Sequence, residues 1–295
     1  MKNNLLNNFI DNVNPQLNNF LDDYLKSLNC YSVLNEAMRY SVDAGGKRIR
    51  PILILAIVKS LKNEINKDDI KVASSLELIH TYSLIHDDLP EMDNDDLRRG
   101  KPTNHKVFGQ AMAVLAGDAL LTTAFECICN TRLNNDLKIK LISGLSKAAG
   151  PEGMINGQVG DIQGEKQEYN LSQLRKVHLG KTAALLKYAC YAGSLLGNAN
   201  QKQEKILVDF GEKFGLAFQI YDDILDVIGN KEQLGKNVHK DNSENKNTYP
   251  ILLGLDGAKK CLNKLIGEMS RNLNELSKNN FDIELLMGFL EYFKY

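Results

Sequence analysis

Tryptophan is absent from this 295-residue chain, proline occurs only 6 times, and no proline- or serine-rich stretch marks an interdomain linker. Cysteine is sparse as well. Cys30, Cys127, Cys129, Cys190 and Cys261 are odd in number and form no Cys-x-x-Cys pair. That excludes a disulfide framework and ordinary zinc spacing, and reads as buried thiols in a reducing compartment. Net charge is close to nil: Lys plus Arg 36 against Asp plus Glu 37 leaves -1. Nothing global therefore favours nucleic acid or an anionic membrane surface. The N-terminus lacks the cationic start and apolar stretch of a signal peptide and the arginines of a transit peptide. No stretch reads as apolar for long enough to span a bilayer. A soluble, cytoplasmic protein is expected.

Strand-like alternation is nearly absent too. Apolar residues instead recur at helical spacing, as at Leu5, Phe9, Ile10, Val13, Leu17, Phe20, Leu21 and Leu25. Further helices are expected over Val33–Val42, Pro51–Leu61, a long one capped by Asp68-Asp69, Ala111–Thr131, Leu137–Ala148, Leu171–Leu196, Lys205–Ile228, Pro250–Leu276 and Ile283–Phe293. Gly229–Thr248 is the longest polar break and reads as a mobile loop. With 43% hydrophobic residues, the chain has enough apolar surface for one large core. Segments such as Ala73–His86 and Phe214–Ile228 are apolar on most faces, as central helices of a bundle are. The expected architecture is all-α: one domain, residues 1–295, with helices surrounding a deep central cavity.

Two acidic clusters follow those central helices, Asp87-Asp88-Leu-Pro-Glu-Met-Asp93 and Asp222-Asp223-Ile-Leu-Asp226. A carboxylate in apolar surroundings loses hydration worth several kcal/mol and protonates unless cations hold it. Asp222 and Asp226 are four apart and share a helix face, while Asp223 points elsewhere. Asp87 and Asp93 are six apart; Pro90 between them should break the helix so that both converge. Either cluster alone reads as a solvated helix end. Two, each after a core helix, point to carboxylate walls for Mg²⁺ and a polyanion such as diphosphate.

Cations gather nearby in sequence. Gly45-Gly46-Lys47-Arg48-Ile49-Arg50 is a glycine turn with three of them, Arg98-Arg99-Gly100-Lys101 follows the first cluster, and Lys236, Lys240 and Lys246 follow the second. Arg offers a planar fork to phosphate oxygens and Lys a point charge.

The blocks Gly45–Pro51, Ile79–His105, Gly180-Lys181-Thr182 and Phe218–Asp226 resemble the trans-isoprenyl diphosphate synthases, most closely the bacterial farnesyl type, in order from roughly residue 30 to 260. The resemblance implies the isoprenoid synthase fold and a Mg²⁺-dependent prenyltransferase. It would condense isopentenyl diphosphate head-to-tail with dimethylallyl or geranyl diphosphate to give farnesyl diphosphate. Three Mg²⁺ per site are implied, bound by Asp87, Asp93 and Asp222 with support from Asp88 and Asp226. Lys47, Arg50, His80 and Arg99, with the Gly46 backbone, would hold isopentenyl diphosphate. Arg98, Lys181, Thr182, Gln219, Lys236 and Lys246 would face the allylic substrate and its leaving group, with Lys181 counted among the catalytic residues. A homodimer is implied, with no nucleic-acid partner. Tyr82 with Ser83, on the helix before Asp87, would limit product length.

The chain departs from the family pattern at His239 and Asn245, where glycines usually stand, and lacks the usual basic tail. A geranylgeranyl diphosphate synthase is the runner-up. A terpene cyclase has no use for Lys47, Arg50 and His80, and a silent partner subunit would have lost aspartates. Glu77-Leu-Ile-His80 is half of a di-iron motif with no second copy. Gly180-Lys181-Thr182 lacks the strand and earlier glycine of a phosphate-binding loop. Gly153, Gly157, Gly160 and Gly164 read as close helix packing, and His178 as structural.

Overall fold

A computed structural model describes residues 3–229, 247–278 and 281–293. Within them the chain is helical: α1 (Asn3–Lys26), α2 (Ser32–Val42), α3 (Ile49–Lys62), α4 (Lys67–Asp87), α5 (Asn104–Phe108), α6 (Gln110–Cys129), α7 (Asn135–Ala149), α8 (Met154–Gly164), α9 (Leu171–His178), α10 (Ala184–Leu196), α11 (Gln201–Ile228), α12 (Tyr249–Ser277) and α13 (Glu284–Leu290). Among the described residues the sheet is a single pair, β1 (Leu97–Arg98) antiparallel to β2 (Lys101–Pro102). The expected loop 229–248 lies, for residues 230–246, outside the described residues, and with it Lys236, His239, Lys240, Asn245 and Lys246.

The chain divides into two compact units. An N-terminal unit comprises residues 8–55 and 65–142; a C-terminal unit comprises 1–7, 56–64 and 143–295. The division falls inside α1, α3 and α7 rather than at a linker, so no shift in composition announces it.

In the N-terminal unit, α4 packs on α6 and α2. Its start is a capping box: Asn66 accepts from the Asp68 and Asp69 amides (2.8 and 3.1 Å), and Asp69 accepts from the Asn66 amide (2.8 Å). The cap is thus Asn66, two residues before the Asp68-Asp69 pair. Ile70, Ala73, Leu76, Leu78, Ile79 and Tyr82 bury several faces of α4, as expected of a central helix.

By length and composition alone α6 is long and apolar enough to cross a membrane. In the fold α6 is a packing helix. Ala113, Ala116, Gly117, Leu120 and Ala124 are buried, and a Cβ on Gly117 would overlap the His86 ring of α4.

In the C-terminal unit, α11 packs between α10 and α12, burying Leu207, Phe210, Phe214, Ala217 and Ile220. Aromatic rings from the chain's end pack on it, Phe289 and Phe293 against Phe214 and Tyr292 face to face with Phe218 (5.3 Å). The single helix expected over Leu171–Leu196 contains a π-helical segment, Leu179–Ala183, between α9 and α10. α8, absent from the expected series because glycine depresses helix propensity, packs tightly there. A Cβ on Gly157 would lie 1.9 Å from the Lys181 amide nitrogen. All five cysteines are free.

Arg48, grouped with the cations of the glycine turn, faces inward instead. Its side chain pairs with Glu77 at 2.6 Å, both almost fully buried, and donates to the Val42 carbonyl at 2.5 Å. A buried pair stabilises little over an apolar substitute, but breaking it strands a charge. Glu77→Leu alone should cost about 3–5 kcal/mol, and Arg48→Met with Glu77→Leu should recover most of it. Urea denaturation of the single and double variants measures the difference.

Candidate active site

In the N-terminal unit α4 stops at Asp87, because Leu89 precedes Pro90 and is pushed out of helical geometry. The chain then reverses. The Asp93 amide donates to the Asp87 carbonyl (2.8 Å) and the Asn94 amide to the Leu89 carbonyl (3.0 Å), with Asn94 at φ 49° closing the turn. The backbones at Asp87 and Asp93 thus converge, and both residues are half-buried. Asp88 faces inward. Its Oδ1 accepts from Arg98 Nε (2.7 Å) and from Nη2 of the same guanidinium. Burial pushes the Asp88 carboxyl up from the ordinary range, against the pull of Arg98. Arg98, assigned to substrate by the resemblance, and Asp88, assigned to metal, are therefore partners of one another.

The glycine turn is shaped to receive Arg99. Gly45 and Gly46 have φ of 84° and 128°, and a Cβ on Gly46 would fall 2.6 Å from the Arg99 guanidinium carbon. Arg99 also donates to the Gly45 carbonyl. Arg50 Nη1 lies 3.1 Å from His80 Nε2. Guanidinium can only donate, so Nε2 accepts and the ring proton sits on Nδ1. Burial first, then the charges of Arg50, Arg99, Arg98 and Arg48, hold His80 well below the usual histidine range, so it is neutral. Lys47 is exposed beside this group in sequence. A small cleft within the same unit is lined by Asp88, Arg98, Arg99, Lys101, Thr81 and Asn104, among others.

In the C-terminal unit, Asp222 is half-buried and Asp226 buried on one face of α11, while Asp223 is buried on another. Asp223 accepts from Gln219 Nε2 (3.2 Å) and from the Tyr249 amide (3.0 Å). Gln219 Oε1 in turn accepts from the Thr182 hydroxyl (2.9 Å). Lys181, in the π-helical segment, pairs with Asp161 of α8 at 2.5 Å. π-Bulges are rare and concentrate at functional positions.

Sequence reasoning missed Asp161 and Tyr292. One acid among glycines carries no pattern, although its place one turn after Gly157 put it on the face that meets Lys181. Tyr292 left no signal near the chain's end. Burial, with Asp222 adding charge, pushes its hydroxyl up to about 12. Among the described residues no three His, Cys, Asp or Glu side chains gather closely enough to enclose a metal by themselves.

The polyprenyl synthetase family model matches residues 31–281. The chain belongs to that family. Farnesyl diphosphate synthase of Geobacillus stearothermophilus is 52% identical over 256 residues, 85% of each chain. A chloroplastic geranylgeranyl pyrophosphate synthase of Catharanthus roseus is 46% identical, covering 82% of this chain and 68% of its own. Among solved structures, a geranyltransferase of Helicobacter pylori complexed with magnesium and isoprenyl diphosphate superposes with a TM-score of 0.82 at 36% identity, over 97% of this chain and 95% of that one. The fold is the all-α isoprenoid synthase fold.

His178 is buried just before the π-helical segment, stacked on Tyr249 at 5.6 Å. Burial lowers its pKa to about 3, with the charge of Lys181 adding and that of Asp161 opposing. The fold therefore keeps His178 neutral while the unfolded chain takes up a proton below about 6.5. Stability should be pH-insensitive on this account above about 6.5. Between about 6.5 and 3 it should fall by roughly 1.4 kcal/mol per pH unit for this residue, with neutral His80 acting in the same direction. Urea unfolding between pH 7.5 and 5 reads the slope, and His178→Phe should flatten it.

Proposed function

We propose that this protein is a Mg²⁺-dependent short-chain prenyltransferase that joins isopentenyl diphosphate head-to-tail to dimethylallyl and then geranyl diphosphate, giving farnesyl diphosphate. The strongest support is 52% identity over 85% of the chain with a farnesyl diphosphate synthase. Geranylgeranyl synthases are similar over less of their own length.

The donor set suits Mg²⁺. Asp87 and Asp93, brought together by the chain reversal, and Asp222 on α11 offer oxygens only. A hard cation that keeps several waters needs few protein ligands and no closed cage. When bound, Mg²⁺ would neutralise the diphosphate and stabilise the charge that develops as it leaves. Asp88 serves here by orienting Arg98, and Asp226 supports Asp222.

The remaining work falls to the chain's own groups. Arg99, Arg50 and Lys47 hold the isopentenyl diphosphate anion, with neutral His80 fixing the Arg50 fork. The family resemblance assigns the allylic diphosphate to Arg98, Lys181, Lys236 and Lys246, with the polar Thr182 and Gln219. The allylic C–O bond breaks with its electron pair leaving on diphosphate; the isopentenyl double bond then attacks the allylic carbon. Loss of a proton to the released diphosphate regenerates the double bond. Apolar walls matter because water would otherwise trap the cation. Self-association as a homodimer belongs to this reading through the family resemblance, and light scattering of the intact chain tests it.

Diphosphate release should require both substrates together. Release from the allylic substrate alone would indicate a cyclase, and none at all a silent subunit. Asp87→Ala and Asp222→Ala should each lower turnover by orders of magnitude with unchanged far-UV circular dichroism; near-normal turnover in either contradicts the metal assignment.

Tyr82 bears on product length. It lies five residues before Asp87 on α4, about 7.5 Å along the axis, with its ring at an edge to His86 (5.7 Å). Its buried hydroxyl has no partner among the described residues. A ring there stops the growing tail at fifteen carbons, with Ser83 beside it in sequence. Tyr82→Ala given farnesyl and isopentenyl diphosphates should release longer products by mass; an unchanged spectrum removes Tyr82 from this role.

A further inference from the structure

We propose that Asn247 is a positioning residue for the second acidic cluster. It pins the chain where α12 begins and so holds the Tyr249 amide against Asp223, which fixes the face of α11 that carries Asp222 and Asp226. The inference rests on the reading of Asp222 as a carboxylate serving Mg²⁺ and the allylic diphosphate.

Asn247 Nδ2 donates to the carbonyls of Gly164 (2.7 Å) and Gln167 (3.0 Å), and its Oδ1 accepts from the Tyr169 amide (2.8 Å). Two carbonyls and one N–H around a single amide admit only one orientation of that group. The side chain thus stitches three backbone points across the corner between α8 and α9. Tyr169 closes the same corner by donating its hydroxyl to the Gly160 carbonyl (2.7 Å). Gly164 leaves the necessary room, since a Cβ there would approach the Tyr169 ring to 2.9 Å and Asn247 Nδ2 to 3.3 Å.

The next two residues carry the constraint onward. Thr248 caps α12, its hydroxyl accepting from the Ile251 amide (3.4 Å). Tyr249 then presents its amide to Asp223 Oδ2 (3.0 Å) while its ring stacks on His178. Asp223 Oδ1 is held by Gln219, and Gln219 by Thr182. Hydrogen bonds, joined by the backbone from Asn247 to Tyr249, therefore run from the α8–α9 corner through the start of α12 and α11 to the π-helical segment that bears Lys181. Successive residues on a helix point about 100° apart. Holding Asp223 inward consequently sets the direction of Asp222, its neighbour. Without the pinned corner, the amide that compensates Asp223 is no longer kept in place, and a buried carboxylate short of a donor pulls its helix turn toward water.

The test compares Asn247→Ala and Asn247→Asp with wild type. The control is Asn272→Ala, which removes a bond to Asp209 (2.6 Å) in the same unit but outside this network. Initial rates give the half-saturating Mg²⁺ concentration and separate KM values for geranyl and isopentenyl diphosphates. Asn247→Ala should raise the geranyl KM and the Mg²⁺ requirement about five- to tenfold, the effect of roughly 1 kcal/mol of misplaced binding, with the isopentenyl KM unchanged. Asn247→Asp should do more, because it sets a carboxylate oxygen against the Gly164 and Gln167 carbonyls. If Asn247→Ala melts too low to assay, Asn247→Ser is read in the same way. Unchanged geranyl and Mg²⁺ dependence, an equal rise for both substrates, or the same change in Asn272→Ala overturns the inference. Asp222→Ala run alongside separates the two levels. Weakened geranyl binding there with a normal Asn247→Ala sinks only the role of Asn247. Normal binding in both sinks the site reading as well.

Discussion

A carboxylate withdrawn from water must be met by donors, and this requirement organises the molecule more than any other. Glu77 is met by Arg48, Asp88 by the fork of Arg98, and Asp223 by Gln219 and a backbone amide. Each of these acids is almost fully buried, and each is answered inside its own unit. Asp87, Asp93 and Asp222 are left half-buried. At Asp87-Asp88 and Asp222-Asp223 an acid proposed to serve cations and an acid that shapes the fold are thus neighbours in sequence, about 100° apart around the helix.

That division was partly legible in the sequence. Helical spacing, the apolar character of α4 and α11, and the turn forced by Pro90 all follow from local rules, and the structure follows them. Asp223 pointing away from Asp222 follows from helix geometry alone. Arg48 was different: in a run of three cations nothing local says which one turns inward. The answer depends on Glu77, 29 residues away.

Other features were hidden for related reasons. α8 contains Gly157, Gly160 and Gly164, which lower helix propensity, and it exists because those glycines let the backbone of the π-helical segment approach. The cap of α4 is Asn66 because the capping box needs an acid three residues on, a longer pattern than an Asp-Asp pair. The division into two units passes through continuous helices, where composition has no reason to change. Asn247 is unremarkable in sequence and acquires meaning only from the three backbone groups around it.

The π-helical segment has one more implication. An extra residue in a helical turn shifts everything after it by about 100° about the axis. The run from Leu171 to Leu196 therefore shows one side to its surroundings before Lys181 and another after it. Buried Leu174 and Val177 belong to the first register, and Leu185, Leu186 and Ala189 to the second. A single rod can in this way serve two sets of packing neighbours while its carbonyl ladder loosens only where the lysine sits. Length is conserved and phase is not, so a one-residue deletion in this stretch would be felt as a rotation of a whole helix.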